Sequence, residues 1–151
     1  MSAEAEILGA NAVRLGLHAA GKREAIDQCG RLLLELGAVE EPYLPAMHER
    51  EVAVSTYLGE GVAIPHGTDE ARQYVRRTAL GFLQFPDGVD WDGEQVQLCI
   101  TIAADGDAHM SLLVALATIL QDPGQANELR TATDPATVLA LLAPTNKEMS
   151  A

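Results

Sequence analysis

The chain has 151 residues, 48% of them hydrophobic, and 22 acidic against 10 basic residues give a formal charge of −12. That length supports one compact domain with its own core, and such acidity repels phosphate backbones and anionic membrane surfaces, so nucleic acid is not an expected ligand. No apolar run reaches the length of a membrane span and the start, MSAEAEILGA, is acidic, so the expectation is a cytoplasmic protein with no membrane insertion.

In chain order, the first helical pattern is KREAIDQCGRLLLELG, where Ile26, Cys29, Leu33 and Leu36 share one face and Gly37 supplies a stop. Gly21 stands before it, where a hydroxyl cap would be stronger by a few tenths of a kcal/mol. A second helix is expected over about Tyr43 to Glu51, because Pro45 is tolerated only in a first turn. Arg50 then falls in the last turn, where a cation suits the helix dipole. Val62, Ala63 and Ile64 read as a short buried strand. RTALGFLQF (77–85) and VQLCITIA (96–103) read as longer ones, with PDGVDWDGE between them turn-like. Three helices close the chain, starting at Asp107, at Asp122-Pro123 and at Asp134-Pro135, each Asp a candidate cap. The expectation is an α/β protein, a single domain over 1–151 with its core at about 11–144 and TNKEMSA a frayed tail.

Cys29 and Cys99 lack the short spacing of zinc or dithiol motifs and are expected to be reduced, packed thiols. The stretch with chemistry in it is GEGVAIPHGT, residues 59–68. Pro65 fixes φ and removes a backbone donor, Gly67 permits a sharp departure, and His66 is presented at the sheet's rim. A neutral imidazole is a competent nucleophile, and its phosphoramidate gives the group up again readily, which suits a relay. Taken alone, Pro-His-Gly is also compatible with a plain turn.

YLGEGVAIPHGT, with the longer blocks REVAVSTYLGEGVAIPHGT and FLQFPDGVDWDGEQVQLCITIA, resembles the enzyme IIA domains of the phosphoenolpyruvate-dependent sugar phosphotransferase system, within the mannitol/fructose family and closest to its mannitol branch. The resemblance runs from about Asn11 to Pro144. It implies a central mixed sheet flanked by helices on both faces. It also implies a phosphohistidine carrier that accepts a phosphoryl group from phospho-HPr and passes it to an enzyme IIB or IIBC, in mannitol-type systems to a IIB cysteine. Matched by position, the phosphorylated histidine falls on His66, the active-site arginine on Arg50, the motif glutamate on Glu60 and the second active-site histidine on His109.

Each position also has a plainer reading. Arg50 offers a planar fork for phosphoryl oxygens, or is a helix-terminal surface charge. His109, placed two residues after the cap Asp107, lies where helix N–H groups favour an anion, or simply faces solvent. Glu60 could accept from Arg50 or orient an imidazole, yet a carboxylate also repels phosphate, and it is otherwise a charged turn residue. His48 lies on a different side of its helix from Arg50, and neither it nor His18 is assigned a role. ADGDA before His109 lacks the acidic residue that the mannitol branch would place immediately ahead of it.

No cofactor or metal is expected, because side chains supply the cations. A metal site built from His66 and His109 with Glu60, Asp105 or Asp107 is disfavoured by the absence of any short ligand pair. The competing functional class is regulatory, as in nitrogen-related relatives, with phosphorylation controlling protein binding. With no P-loop-like cysteine site and no membrane segment, the IIB and IIC functions are expected on other chains. An enzyme IIA meets only proteins and phosphate, so mannitol is only the sugar of the branch it resembles.

Overall fold

The computed structural model describes residues 7–104 and 106–145. Five strands, β1 (Val13–Arg14), β2 (Tyr57–Gly59), β3 (Val62–Ala63), β4 (Ala79–Trp91) and β5 (Glu94–Ala103), form one sheet in the order β1-β4-β5-β3-β2. The sheet is mixed: β1 runs parallel to β4 and β3 parallel to β5, while β4–β5 and β2–β3 are antiparallel.

Helices cover both faces, and the period of two along a strand explains how one sheet feeds two cores. Leu80, Phe82, Leu98, Ile100 and Ile102 point to the side closed by α3 (Gly106–Leu120), α4 (Pro123–Thr131) and α5 (Pro135–Leu141). Ala79, Leu83, Cys99 and Ala103 point to the side closed by α1 (Lys22–Glu35) and α2 (Tyr43–Ala53). Because both faces are buried, the long strands read as nearly continuous apolar runs. Cys29 and Cys99, both free and fully buried, meet in the second core, where burial pushes the Cys99 thiol well above its usual range.

Helix α1 has Gly21 as its cap, with no side-chain bond there; Glu24 Oε1 instead accepts from Ala20 N at 3.2 Å. Helices α4 and α5 begin as expected, Asp122 accepting from Gly124 N and Gln125 N, and Asp134 from Thr137 N. Helix α3 does not begin as expected: it starts at Gly106, so Asp107 lies inside the first turn rather than capping it.

PDGVDWDGE is mostly strand, since the β4–β5 hairpin turns only at Asp92-Gly93, both at positive φ (55° and 96°), with Trp91 facing Glu94. Asp-Gly at the tip of a two-residue hairpin has the twist that neighbouring strands need. A register shift between Gln84 and Val89 absorbs Pro86 and the first Asp-Gly pair, the residues that read as a turn in the sequence, within the strand. Strands β1 and β2, two and three residues long, carry no periodic signal and were not anticipated.

The core extends further back than Asn11: Ile7 and Leu8 are buried, and Leu80 N donates to Ile7 O at 2.8 Å. At the other end Thr145 is fully buried rather than frayed, its Oγ1 donating to Leu142 O at 2.7 Å. The rest of the expected tail, 146–151, and Asp105 lie outside the described residues.

Candidate active site

His66 is placed by the backbone just past β3. Strand β3 lies beside β5 with Val62 opposite Leu98 and Ala63 opposite Cys99. The chain stays attached to β5 beyond the strand, because Pro65 O accepts from Ile102 N (3.2 Å) and from Thr101 Oγ1 (2.8 Å). Proline gives up a donor here while its carbonyl takes two.

Tyr43, at the start of α2, clamps the next residue: its Oη donates to Ile102 O at 3.0 Å and accepts from Gly67 N at 2.9 Å. A Cβ on Gly67 would sit 2.7 Å from Tyr43 Cε1, and Gly67 does not have positive φ. Glycine is therefore required by the tyrosine ring lying against the backbone, and not, as the motif suggested, by a sharp turn. Burial pushes the Tyr43 phenol up, so it keeps the proton it donates.

The His66 side chain is 6% exposed rather than standing free at the rim. Its Nδ1 lies 2.8 Å from Ile64 O, and a carbonyl can only accept, so Nδ1 carries the proton and Nε2 the lone pair. Burial, above all, lowers the His66 pKa; the Ile64 bond and Glu51 act against that, and Arg50 and Arg72 with it. His109, 7% exposed and fourth in α3, stacks obliquely on His66 with ring centroids 4.7 Å apart and a 57° tilt. Burial, then His66, lowers the His109 pKa to about 4. Both rings are thus neutral near pH 7. Among the described residues, His66 Nε2 and the His109 ring nitrogens have no hydrogen-bond partner, yet none is sealed from solvent.

Arg50 falls in the last turn of α2, where its Nη1 donates to Val54 O at 2.6 Å, and its charge acts on both imidazoles. Glu60 is not brought to His66. It occupies the β2–β3 turn at φ 56°, at the opposite end of β3. Its partner is Arg130 of α4 and not Arg50: Arg130 Nη1 donates to Glu60 O and lies 3.9 Å from Glu60 Oε1. His48 Nε2 donates to Asp27 Oδ1 at 2.7 Å, tying α2 to α1, and His18 Nδ1 lies 3.0 Å from Asp87 on the surface.

Two residues near the site were missed in the sequence. Glu51, next to Arg50 and 5% exposed, accepts from Thr56 N, from Thr56 Oγ1 (2.5 Å) and from Trp91 Nε1 (3.0 Å). It fixes the segment leaving α2 against the hairpin, and nothing local in the sequence signals a carboxylate whose donors lie far along the chain. Arg72 lies in the 3-10 turn Glu70–Tyr74 that follows His66; a basic residue four positions beyond PHGT was the available signal. Among the described residues, no group of three or more His, Cys, Asp or Glu side chains is arranged to hold a metal ion.

An imidazole with one nitrogen committed, the other open, and guanidinium charge close by has the chemistry of a phosphoryl acceptor. The family model described as "Phosphoenolpyruvate-dependent sugar phosphotransferase system, EIIA 2" matches residues 6–144, and the chain belongs to that family. It is accordingly a phosphotransferase component of mannitol type. It is 40% identical over 124 residues to a mannitol-specific phosphotransferase enzyme IIA component of Staphylococcus aureus, covering 82% of this chain and 86% of that protein. It is 44% identical over 131 residues to a multiphosphoryl transfer protein of Xanthomonas campestris; this covers 86% of the chain but spans only 16% of that longer protein. Among solved structures, the complex of enzyme IIAMTL with phosphorylated enzyme IIBMTL from Escherichia coli superposes with a TM-score of 0.84 at 40% identity, covering 90% of this chain and 96% of that one.

Proposed function

We propose that His66 Nε2 accepts a phosphoryl group from phospho-HPr and delivers it to a IIB cysteine, in uptake of mannitol or a related sugar by a cytoplasmic relay. The observation that carries this reading is the bond from Nδ1 to Ile64 O, which leaves the Nε2 lone pair as the nucleophile. In the forward step the P–N bond to the HPr imidazole breaks and a P–N bond to His66 Nε2 forms, the departing nitrogen keeping its electron pair. No proton need leave His66, because Nε2 has none in this tautomer. In the second step a cysteine thiolate attacks phosphorus and His66 is restored.

The protein's contribution is position and charge, the larger part of catalysis in phosphoryl transfer. Arg50 brings a guanidinium, and neutral His109 a ring nitrogen able to donate to a phosphoryl oxygen. The orphan N–H groups of the first turn of α3 favour an anion. Burial of the His66 ring leaves only the Nε2 edge open, which limits the access of water to the phosphoramidate between the two transfers. Glu60 has no part in this chemistry where it stands and acts by holding the β2–β3 turn to α4. Exposed Val52 and Val54 follow Arg50, and exposed Met110 and Val114 lie on the His109 helix, which supplies an apolar rim for a docking protein. The structural likeness to a IIA bound to its phosphorylated IIB supports a IIB as the acceptor.

Incubation with phosphoenolpyruvate, enzyme I and HPr is expected to put one acid-labile phosphate on each chain, and none on His66→Ala. Added mannitol-type IIB should then discharge the wild type. Equal labelling of His66→Ala would refute the assignment. Stable labelling with no discharge to any sugar-specific IIB would favour the regulatory role instead.

A further inference from the structure

A third charged side chain belongs to this site by position, and neither the sequence motif nor the match to relatives singled it out. The chain leaving His66 passes the Tyr43 clamp at Gly67 and closes at once into the 3-10 turn. That turn is held rigidly: Ala71 is buried, Ala71 N donates to Thr68 O and Arg72 N to Asp69 O, both at 3.1 Å, and the turn packs against α2. Arg72 therefore projects from a fixed backbone. Its Nη2 is 3.1 Å from Asp69 Oδ1, and its side chain is only 33% exposed against 87% for Asp69.

The charge of Arg72 bears on three groups around one point. It acts on Tyr43, whose hydroxyl meets Gly67 N, on His66 and on His109, whereas Arg50 acts on the two imidazoles only. Arg72 reaches these groups from the turn that follows His66, whereas Arg50 comes from the last turn of α2. One carboxylate, Asp69, holds Arg72 in the unphosphorylated protein.

Resting on the phosphocarrier reading above, we propose that Arg72 is a second phosphoryl-binding arginine, parked on Asp69 and drawn to the phosphoryl group when it arrives on His66 Nε2. A phosphoryl group carries close to two negative charges and three acceptor oxygens, so it outcompetes a single, largely solvated carboxylate for the guanidinium fork. Two arginines from separate elements neutralise the group in flight better than one, and the Asp69 pair gives Arg72 a partner before the phosphoryl group arrives.

The test uses Arg72→Ala and Arg72→Lys in the full chain, with two independent readouts. In single-turnover transfer from phospho-HPr, Arg72→Ala is expected to be slower by roughly ten- to a hundredfold, at or below the low end of what loss of one preorganised transition-state donor costs, and Arg72→Lys to fall between. In NMR titration of the unphosphorylated protein, Arg72→Ala is expected to raise the midpoints of both His66 and His109. The charged groups acting on those rings are Arg50 and Glu51 from α2, Asp69 just before the 3-10 turn and Arg72 within it, so loss of one cation moves both midpoints the same way. A merely structural Arg72 would leave the midpoints in place and lower the unfolding temperature in step with the rate. Wild-type transfer by Arg72→Ala, or unmoved midpoints, overturns the proposal. If the wild type itself accepts no phosphate, the phosphocarrier reading fails, and the titration still decides whether Arg72 governs these imidazoles.

Discussion

At the scale of single residues, the account turns on which nitrogen of His66 is occupied and on both imidazoles being neutral. The histidine and its proline were legible in the sequence because the motif is contiguous, whereas Arg50 was reached only through the family resemblance, since its spacing alone reads as a helix-terminal surface charge. The tautomer was not legible, since it depends on where Ile64 O points. The reason for Gly67 was not either, because it is set by the ring of Tyr43, which lies outside the motif. Glu60 shows the opposite failure: a charged residue inside the motif whose side chain the β2–β3 turn carries away to Arg130. A pH dependence follows from the rings. The folded pKa of His109 is about 4 against 6.5 in an unstructured chain, and His66 is shifted in the same direction. Between those values the unfolded chain binds more protons at these rings than the folded one, so their contribution to stability is fully present above pH 6.5 and is lost progressively as pH drops toward 4. Urea unfolding of wild type and His109→Gln across that window should show the variant losing less stability than the wild type. A difference between them that does not change with pH would contradict the buried neutral ring.

At the scale of elements, helix boundaries were legible where a cap and a proline coincide, as at Asp122-Pro123 and Asp134-Pro135, because those signals act within four residues. The start of α3 was not, since Asp107 looks like a cap while the helix begins at Gly106. The hairpin was misread because two Asp-Gly pairs, at 87–88 and 92–93, compete for the turn, and the choice is made by strand pairing. Short strands escaped notice because their partners, not their composition, define them. The Tyr43 clamp joins three elements, α2, β5 and the His66 loop, through one hydroxyl. Tyr43→Phe leaves the buried Gly67 N–H and Ile102 carbonyl each short of a partner and is expected to cost about 1–3 kcal/mol. Gly67→Ala, which drives a Cβ into the ring, is expected to cost a similar amount, about 1–3 kcal/mol, by overpacking. Both should slow phosphoryl transfer by shifting the loop. Denaturant midpoints and transfer rates indistinguishable from wild type in both variants would show that the clamp does not hold the site.

At the scale of the whole molecule, a mixed sheet with helices on both faces was legible through resemblance, and the two cores explain why composition alone could not order the strands. The sheet sets up the chemistry by its pairing: β3 beside β5 brings Pro65 to Ile102, and covering helices from opposite faces, α2 and α3, deliver Arg50 and His109 to one strand end. The apolar rim around that end and the acidic remainder of the surface fit a carrier that meets two proteins in turn through a single buried ring. The most direct measurement is NMR of the 15N-labelled protein after phosphorylation through HPr, observing the phosphorus–nitrogen coupling on His66. The account predicts phosphorus on Nε2, with Nδ1 still protonated against Ile64 O. Phosphorus on Nδ1, or on any residue other than His66, would contradict it.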